Sequence, residues 1–186
     1  MISPDAGAFD IEFDWASIPE NEWEMLTAII LDTRTPLERM KIVVQRLKNA
    51  DRLDYRIMNQ MPYEDRVKWL KAAGYPWYNS KARYFSYILP KNPSEMSYKE
   101  IQLIPGIGPK LASLWMRLVH GVEMPIIDVH VKRWLKARGI ESNNYDLLAA
   151  AFRGEAQKLG VGIGDLDRQI VKDGIMKRRG LSDDSK

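Results

Sequence analysis

Apolar residues recur every three to four positions along almost the whole of this 186-residue chain, in short runs cut by proline and glycine. That spacing is helical, because side chains three and four apart share one face of an α-helix. Trp23, Leu26, Ile29 and Ile30 make the first such face, which stops near Thr33. Thr35-Pro36 then opens a helix carrying Met40, Val43, Val44 and Leu47. Short helices are predicted over 51–58 and 63–73, followed by a turn at Gly74-Tyr75-Pro76-Trp77. A helix over 81–89 follows, capped by Asn79, with Ala82, Phe85 and Leu89 inward. Helices over 97–103, 109–120, 129–137, 145–159 and 166–173 complete the series, the second of them striped by Leu111, Leu114, Trp115 and Leu118. Strand signals are nearly absent, Pro125-Ile126-Ile127 being the best short extended segment. The pattern specifies an all-α fold.

A chain of this length can bury roughly 70% of its unfolded surface without covalent staples. The segment 1–20 reads as an N-terminal extension and 21–174 as one helical functional unit of two lobes. The residues 175–186, which lack an apolar face, read as a frayed tail. No internal repeat or low-complexity linker divides the chain; if there are two lobes, the crossing lies near Gly106. There is no cysteine, which removes disulfides, thiolate zinc sites, a cysteine nucleophile and ordinary iron-sulfur clusters. The two histidines, His120 and His130, lack partners at metal-ligand spacing, so no metal centre is expected. The first residues lack the basic-then-apolar pattern of a signal peptide, and no apolar run is long enough to span a bilayer. A soluble intracellular protein with no membrane partner is therefore expected. With 28 basic against 25 acidic residues the formal charge is only +3, so any nucleic-acid site must come from local clustering.

Chemistry concentrates in Leu103-Ile104-Pro105-Gly106-Ile107-Gly108-Pro109-Lys110 and, beyond it, Asp128 in Pro125-Ile126-Ile127-Asp128-Val129-His130. Glycines at 106 and 108 permit positive φ and close backbone approach, so that amide N–H groups at the following helix start can receive a phosphate. The arrangement is compatible with an exchangeable monovalent cation bridging hairpin carbonyls and phosphate. A plain helix-helix turn uses the same glycines for steric reasons alone. Lys110 is an electrostatic misfit in the first turn of its helix, which, with partial burial, favours a neutral, nucleophilic amine; binding phosphate is its simpler role. Asp128 suits the N-cap of the next helix and equally a carboxylate that takes the amine's proton and stabilises a cationic sugar. Lys132, Arg133, Lys136 and Arg138 form a basic run, either a solvated face or a phosphate contact. Among Trp69, Trp77, Tyr78, Trp115 and Trp134 most belong to the core, with room for one in a base-stacking pocket.

At these residues the chain resembles the helix-hairpin-helix DNA glycosylases, typified by endonuclease III, over about residues 23–174. Leu103 to Ala112 matches the hairpin and catalytic lysine, Asp128-Val129-His130 the aspartate motif, and Tyr78-Asn79-Ser80-Lys81-Ala82 a segment preceding the hairpin. The resemblance implies a two-lobed helical fold with the active site in the cleft between lobes. It also implies base-excision repair by a bifunctional glycosylase/lyase, in which Lys110 attacks the sugar with help from Asp128 and then nicks the strand by β-elimination. Ile104, Gly106, Ile107, Gly108 and Pro109 would hold DNA, together with Arg34, Asn79, Lys81, His130, Lys132 and Arg133. Arg34 stands where endonuclease III has the glutamine that enters the DNA stack, and reads either as filling the vacated stack or as a surface arginine. His130 is expected to pack or hydrogen-bond beside Asp128. The four-cysteine cluster of endonuclease III is missing, so no iron-sulfur cofactor carries over. Ala156-Gln157-Lys158-Leu159 through Leu166-Asp167, with Ile126-Ile127-Asp128, looks more like the cluster-free archaeal-type 8-oxoguanine glycosylases. The expected partner is double-stranded DNA with a damaged or mispaired base or an abasic site, bound by a monomer without a required cofactor. A monofunctional mismatch or uracil glycosylase would keep Asp128 and make Lys110 incidental. A non-catalytic binding module would need neither.

Overall fold

The computed structural model describes residues 14–32 and 35–178; Arg34 lies outside the described residues. Among them all regular structure is helical, with no strand. The helices are α1 (Glu22–Leu31), α2 (Leu37–Asn49), α3 (Tyr55–Gln60), α4 (Tyr63–Ala72), α5 (Tyr78–Tyr84), α6 (Tyr98–Ile101), α7 (Pro109–His120), α8 (Val129–Lys136), α9 (Tyr145–Leu159) and α10 (Ile163–Arg178). Single 3-10 segments precede α1 (Asp14–Ser17) and α6 (Pro93–Glu95). The chain divides into two compact units, Met1–Val122 and Glu123–Lys186.

In the first unit α1 is the central post. Every residue from Met25 to Leu31 is buried, the mark of a helix enclosed on all sides. Asn21 starts it by accepting from the backbone N–H groups of Trp23 and Glu24 at 3.0 and 3.1 Å, and α3, α5 and α7 pack around it. Met40, Val43, Val44 and Leu47 of α2 are buried as their spacing predicts. Trp15 is also buried, in a 3-10 segment packed against α2, so apolar packing reaches into the stretch read from sequence as an extension. Fully burying each such large side chain contributes about 1.5–3 kcal/mol.

Helix boundaries shift where a local device overrides periodicity. Asp51 has a left-handed φ of 55°, so α3 begins only at Tyr55, where the side chain of Asp54 accepts from Arg56 N. Helix α5 starts before Asn79, which sits in its first turn instead of capping it, and Leu89 falls beyond its end. A capping box between Ser97 and Glu100 opens α6, and α7 runs over the predicted span with Pro109 in its first turn.

The second unit packs α8 and α9 against α10. Its core is Ile127, Val131, Leu135, Leu148, Ala149, Phe152, Ala156, Leu166 and Ile170. The Tyr145 hydroxyl donates to Pro125 O (3.0 Å) and accepts from Ile127 N (3.2 Å), which ties the extended segment before α8 to α9. Helix α10 begins earlier than its apolar spacing suggests, at Ile163, where Glu123 accepts from Gly164 N at 3.1 Å, and it continues past Asp173 to Arg178.

Candidate functional site

The hairpin lies between α6 and α7, in the first unit. Ile104 and Ile107 are buried anchors, and Ile107 N donates to Ile104 O at 3.0 Å to close the turn. Gly106 has a φ of +88°, and a Cβ there would overlap the Tyr84 ring, so glycine is required twice over. Gly108 differs from its expected role: its φ is −91° and the space beside it is open. Among the described residues no group accepts from the N–H of Gly106, Gly108, Lys110 or Leu111. Unclaimed amides at a helix N-terminus are an anion-binding arrangement.

Lys110 is the second residue of α7. Its side chain is 40% exposed, and its Nζ lies 3.6 Å from Oδ2 of Asp32, whose side chain is only 16% exposed. Asp32 is the C-cap of α1, and the two carbonyls before it are held from other elements. Tyr75 donates its hydroxyl to Leu31 O at 2.8 Å, and Lys81 donates its ammonium to Ile30 O at 2.6 Å.

Lys81, expected on the DNA, is instead 4% exposed. Burial pushes its amine down to about 8, with Asp32 opposing the shift. Its Nζ also sits 4.8 Å from the centre of the Tyr84 ring that abuts Gly106. Lys81 therefore braces the site from within. Asn79 is exposed, its carbonyl accepting from the Tyr63 hydroxyl at 3.2 Å.

In the second unit Asp128 caps α8, its Oδ1 accepting from His130 N at 2.7 Å and Val131 N at 2.8 Å. Oδ2 takes no hydrogen bond among the described residues. The His130 ring rests on Gly174 of α10, beside a cavity of about 440 Å³ also lined by Arg133, Trp134 and Arg138. The basic run splits by pairing. Lys136 engages Glu141 at 3.2 Å, and Arg138 engages Glu155 at 3.7 Å while stacking on Trp134 at 3.5 Å. Lys132 and Arg133 are exposed and have no ion pair among the described residues. Trp115 is core, whereas Trp69 and Trp77 are partly exposed.

No protein-family model matches the sequence, and no curated protein does. Solved structures match the fold. A 3-methyladenine DNA glycosylase of H. pylori bound to 1,N6-ethenoadenine superposes with a TM-score of 0.69 at 19% identity, covering 93% of this chain and 94% of that one. The 8-oxoguanine DNA glycosylase of Methanocaldococcus jannaschii gives 0.62 at 21% identity, over 89% of this chain and 85% of that one. A trapped endonuclease III-DNA covalent intermediate gives 0.54 at 20%, over 77% and 70%. The chain has the helix-hairpin-helix DNA glycosylase fold.

Within this glycosylase fold, Asp32 and Tyr84 are the site neighbours that sequence reasoning missed. One signal was available for Asp32. A carboxylate at a helix C-terminus opposes the macrodipole, as Lys110 does at the start of α7.

Proposed function

We propose that this protein is a DNA glycosylase with abasic-site lyase activity that removes a damaged base from double-stranded DNA. The observation that carries the reading is Lys110, an amine placed directly after a glycine hairpin with unclaimed N–H groups, in a glycosylase fold. The hairpin amides would take a phosphate of the damaged strand, a contact that positions DNA without reading sequence. Lys132 and Arg133 would take others.

Flipping the damaged nucleotide out of the stack costs roughly a few kcal/mol. Lys110 Nζ then bonds to the sugar C1′ as the bond from C1′ to the base breaks, and the free oxygen of Asp128 stabilises the positive charge that develops on the sugar. Opening of the sugar ring leaves a Schiff base on Lys110. Loss of a C2′ proton then expels the 3′ phosphate and nicks the strand.

An oxidised base is the proposed substrate. The fold neighbours named for 8-oxoguanine support it, and the neighbour holding 1,N6-ethenoadenine makes an alkylated purine the competing choice. The test is a nicking and borohydride-trapping panel of duplexes carrying 8-oxoguanine, 1,N6-ethenoadenine, oxidised pyrimidines, uracil, thymine opposite guanine, or an abasic site. Wild-type protein should form a covalent adduct that Lys110→Ala abolishes. Asp128→Asn should slow base release by about 100-fold or more while sparing DNA affinity. Base release without any trapped adduct would make the protein monofunctional, and DNA binding without base release would make it a binding module.

A further inference from the structure

Two charges in the first unit stand at the wrong ends of their helices. Asp32 caps α1 at the C-terminus, where the backbone carries partial negative charge, and Lys110 sits in the first turn of α7, where it carries partial positive charge. Exchanging the two residues would suit both dipoles better, so helix stability does not explain either placement. The pair meets at 3.6 Å. The frame around them is fixed on each side. Buried Lys81 and Tyr75 hold the carbonyls of Ile30 and Leu31 next to Asp32, and the Tyr84 ring packs on Gly106 ahead of Lys110.

We propose that Asp32 is the proton acceptor for Lys110, a second carboxylate that belongs to the nucleophile's own unit and leaves Asp128 to stabilise the sugar. This rests on Lys110 being the nucleophile. The step balances on an abasic site. The Nζ–H bond breaks and an Oδ2–H bond forms, which turns the ammonium-carboxylate pair into amine and acid. The amine adds to the C1′ aldehyde, and the Nζ proton passes to the former carbonyl oxygen to give a carbinolamine. Asp32 returns its proton to that hydroxyl, which leaves as water, and the iminium remains with Asp32 ionised again. No oxidant, metal or other co-reactant is needed.

The experiment uses full-length protein and an abasic-site duplex, so that neither base identity nor base release enters. Single-turnover borohydride trapping is followed against protein concentration for wild type, Asp32→Asn, Asp32→Glu, Asp128→Asn and Lys110→Ala, with melting temperatures for each. Asp32→Asn should slow trapping at saturating protein by about tenfold to 100-fold. Its half-saturating concentration should stay within about twofold of wild type, as expected when only a transition-state interaction is lost. Asp32→Glu should recover part of the rate, and Asp128→Asn should trap faster than Asp32→Asn. Trapping by Asp32→Asn at the wild-type rate would overturn the proposal. So would a defect that saturating protein removes, or an Asp32→Glu variant as slow as Asp32→Asn with both melting lower, which would make Asp32 a brace. An adduct that persists in Lys110→Ala would bring down the nucleophile assignment itself, whereas a Lys110-dependent adduct indifferent to Asp32 would reject the proton acceptor alone.

Discussion

Gly106 and Gly108 look equivalent in the sequence, but the backbone gives them different work. Gly106 is left-handed and lies against Tyr84, while Gly108 is extended beside open space. Gly106→Ala should therefore lower the unfolding free energy by about 1–3 kcal/mol, the cost of a strained backbone position. Gly108→Ala should cost less than about 1 kcal/mol, the scale of an altered N-cap, yet weaken DNA binding by putting a methyl where phosphate would sit. Denaturant titration and DNA binding measured on both variants separate the two roles. Lys81 gives a second prediction at this scale. Burial lowers its amine from 10.5 to about 8, so between these values the unfolded chain binds more protons than the folded one. Stability contributed by this group consequently rises with pH across that window, as the desolvation penalty of the ammonium is relieved. The difference in unfolding free energy between wild type and Lys81→Met should shift in favour of wild type from pH 8 to 10.5. A difference independent of pH would mean that Lys81 stays protonated in its buried site.

Among the helices, α8 and α10 meet through an unusually close contact, the His130 ring on the backbone of Gly174. Glycine to alanine inside a helix ordinarily stabilises by up to about 1 kcal/mol. Here a Cβ would overlap the imidazole, so Gly174→Ala should destabilise, and adding His130→Ala should restore much of the loss. The double-mutant cycle reads the coupling directly, and additive effects would show that the ring moves aside without cost. At this scale most of the architecture was legible in the sequence. Spacing and punctuation placed α7 and α9 over their observed spans, because a helix is specified by residues a few positions apart. Spacing failed where one side chain settled the boundary. Asp51 turned left-handed ahead of α3, and Glu123 reached across from outside α10 to its first turn.

For the whole molecule the net charge of +3 is too small to carry the proposed DNA affinity by itself, so a few unpaired cations would have to supply it. Among the described residues Lys132 and Arg133 have no ion pair, whereas Lys136 and Arg138 engage Glu141 and Glu155. Replacing Lys132 and Arg133 together by alanine should reduce the slope of log affinity against log salt by about 2, and the same change at Lys136 and Arg138 should alter it less. Equal effects from the two pairs would assign the contact to the whole basic face. The sequence by itself determined the all-α architecture, the hairpin, and the amine and carboxylate that follow it, since each is written within a short stretch of chain. Only the tertiary structure decided that Lys81 is buried 51 positions from the carbonyl it holds, and that Asp32 stands beside Lys110. Local pattern cannot specify those two placements, because they follow from how α1, α5 and α7 pack together.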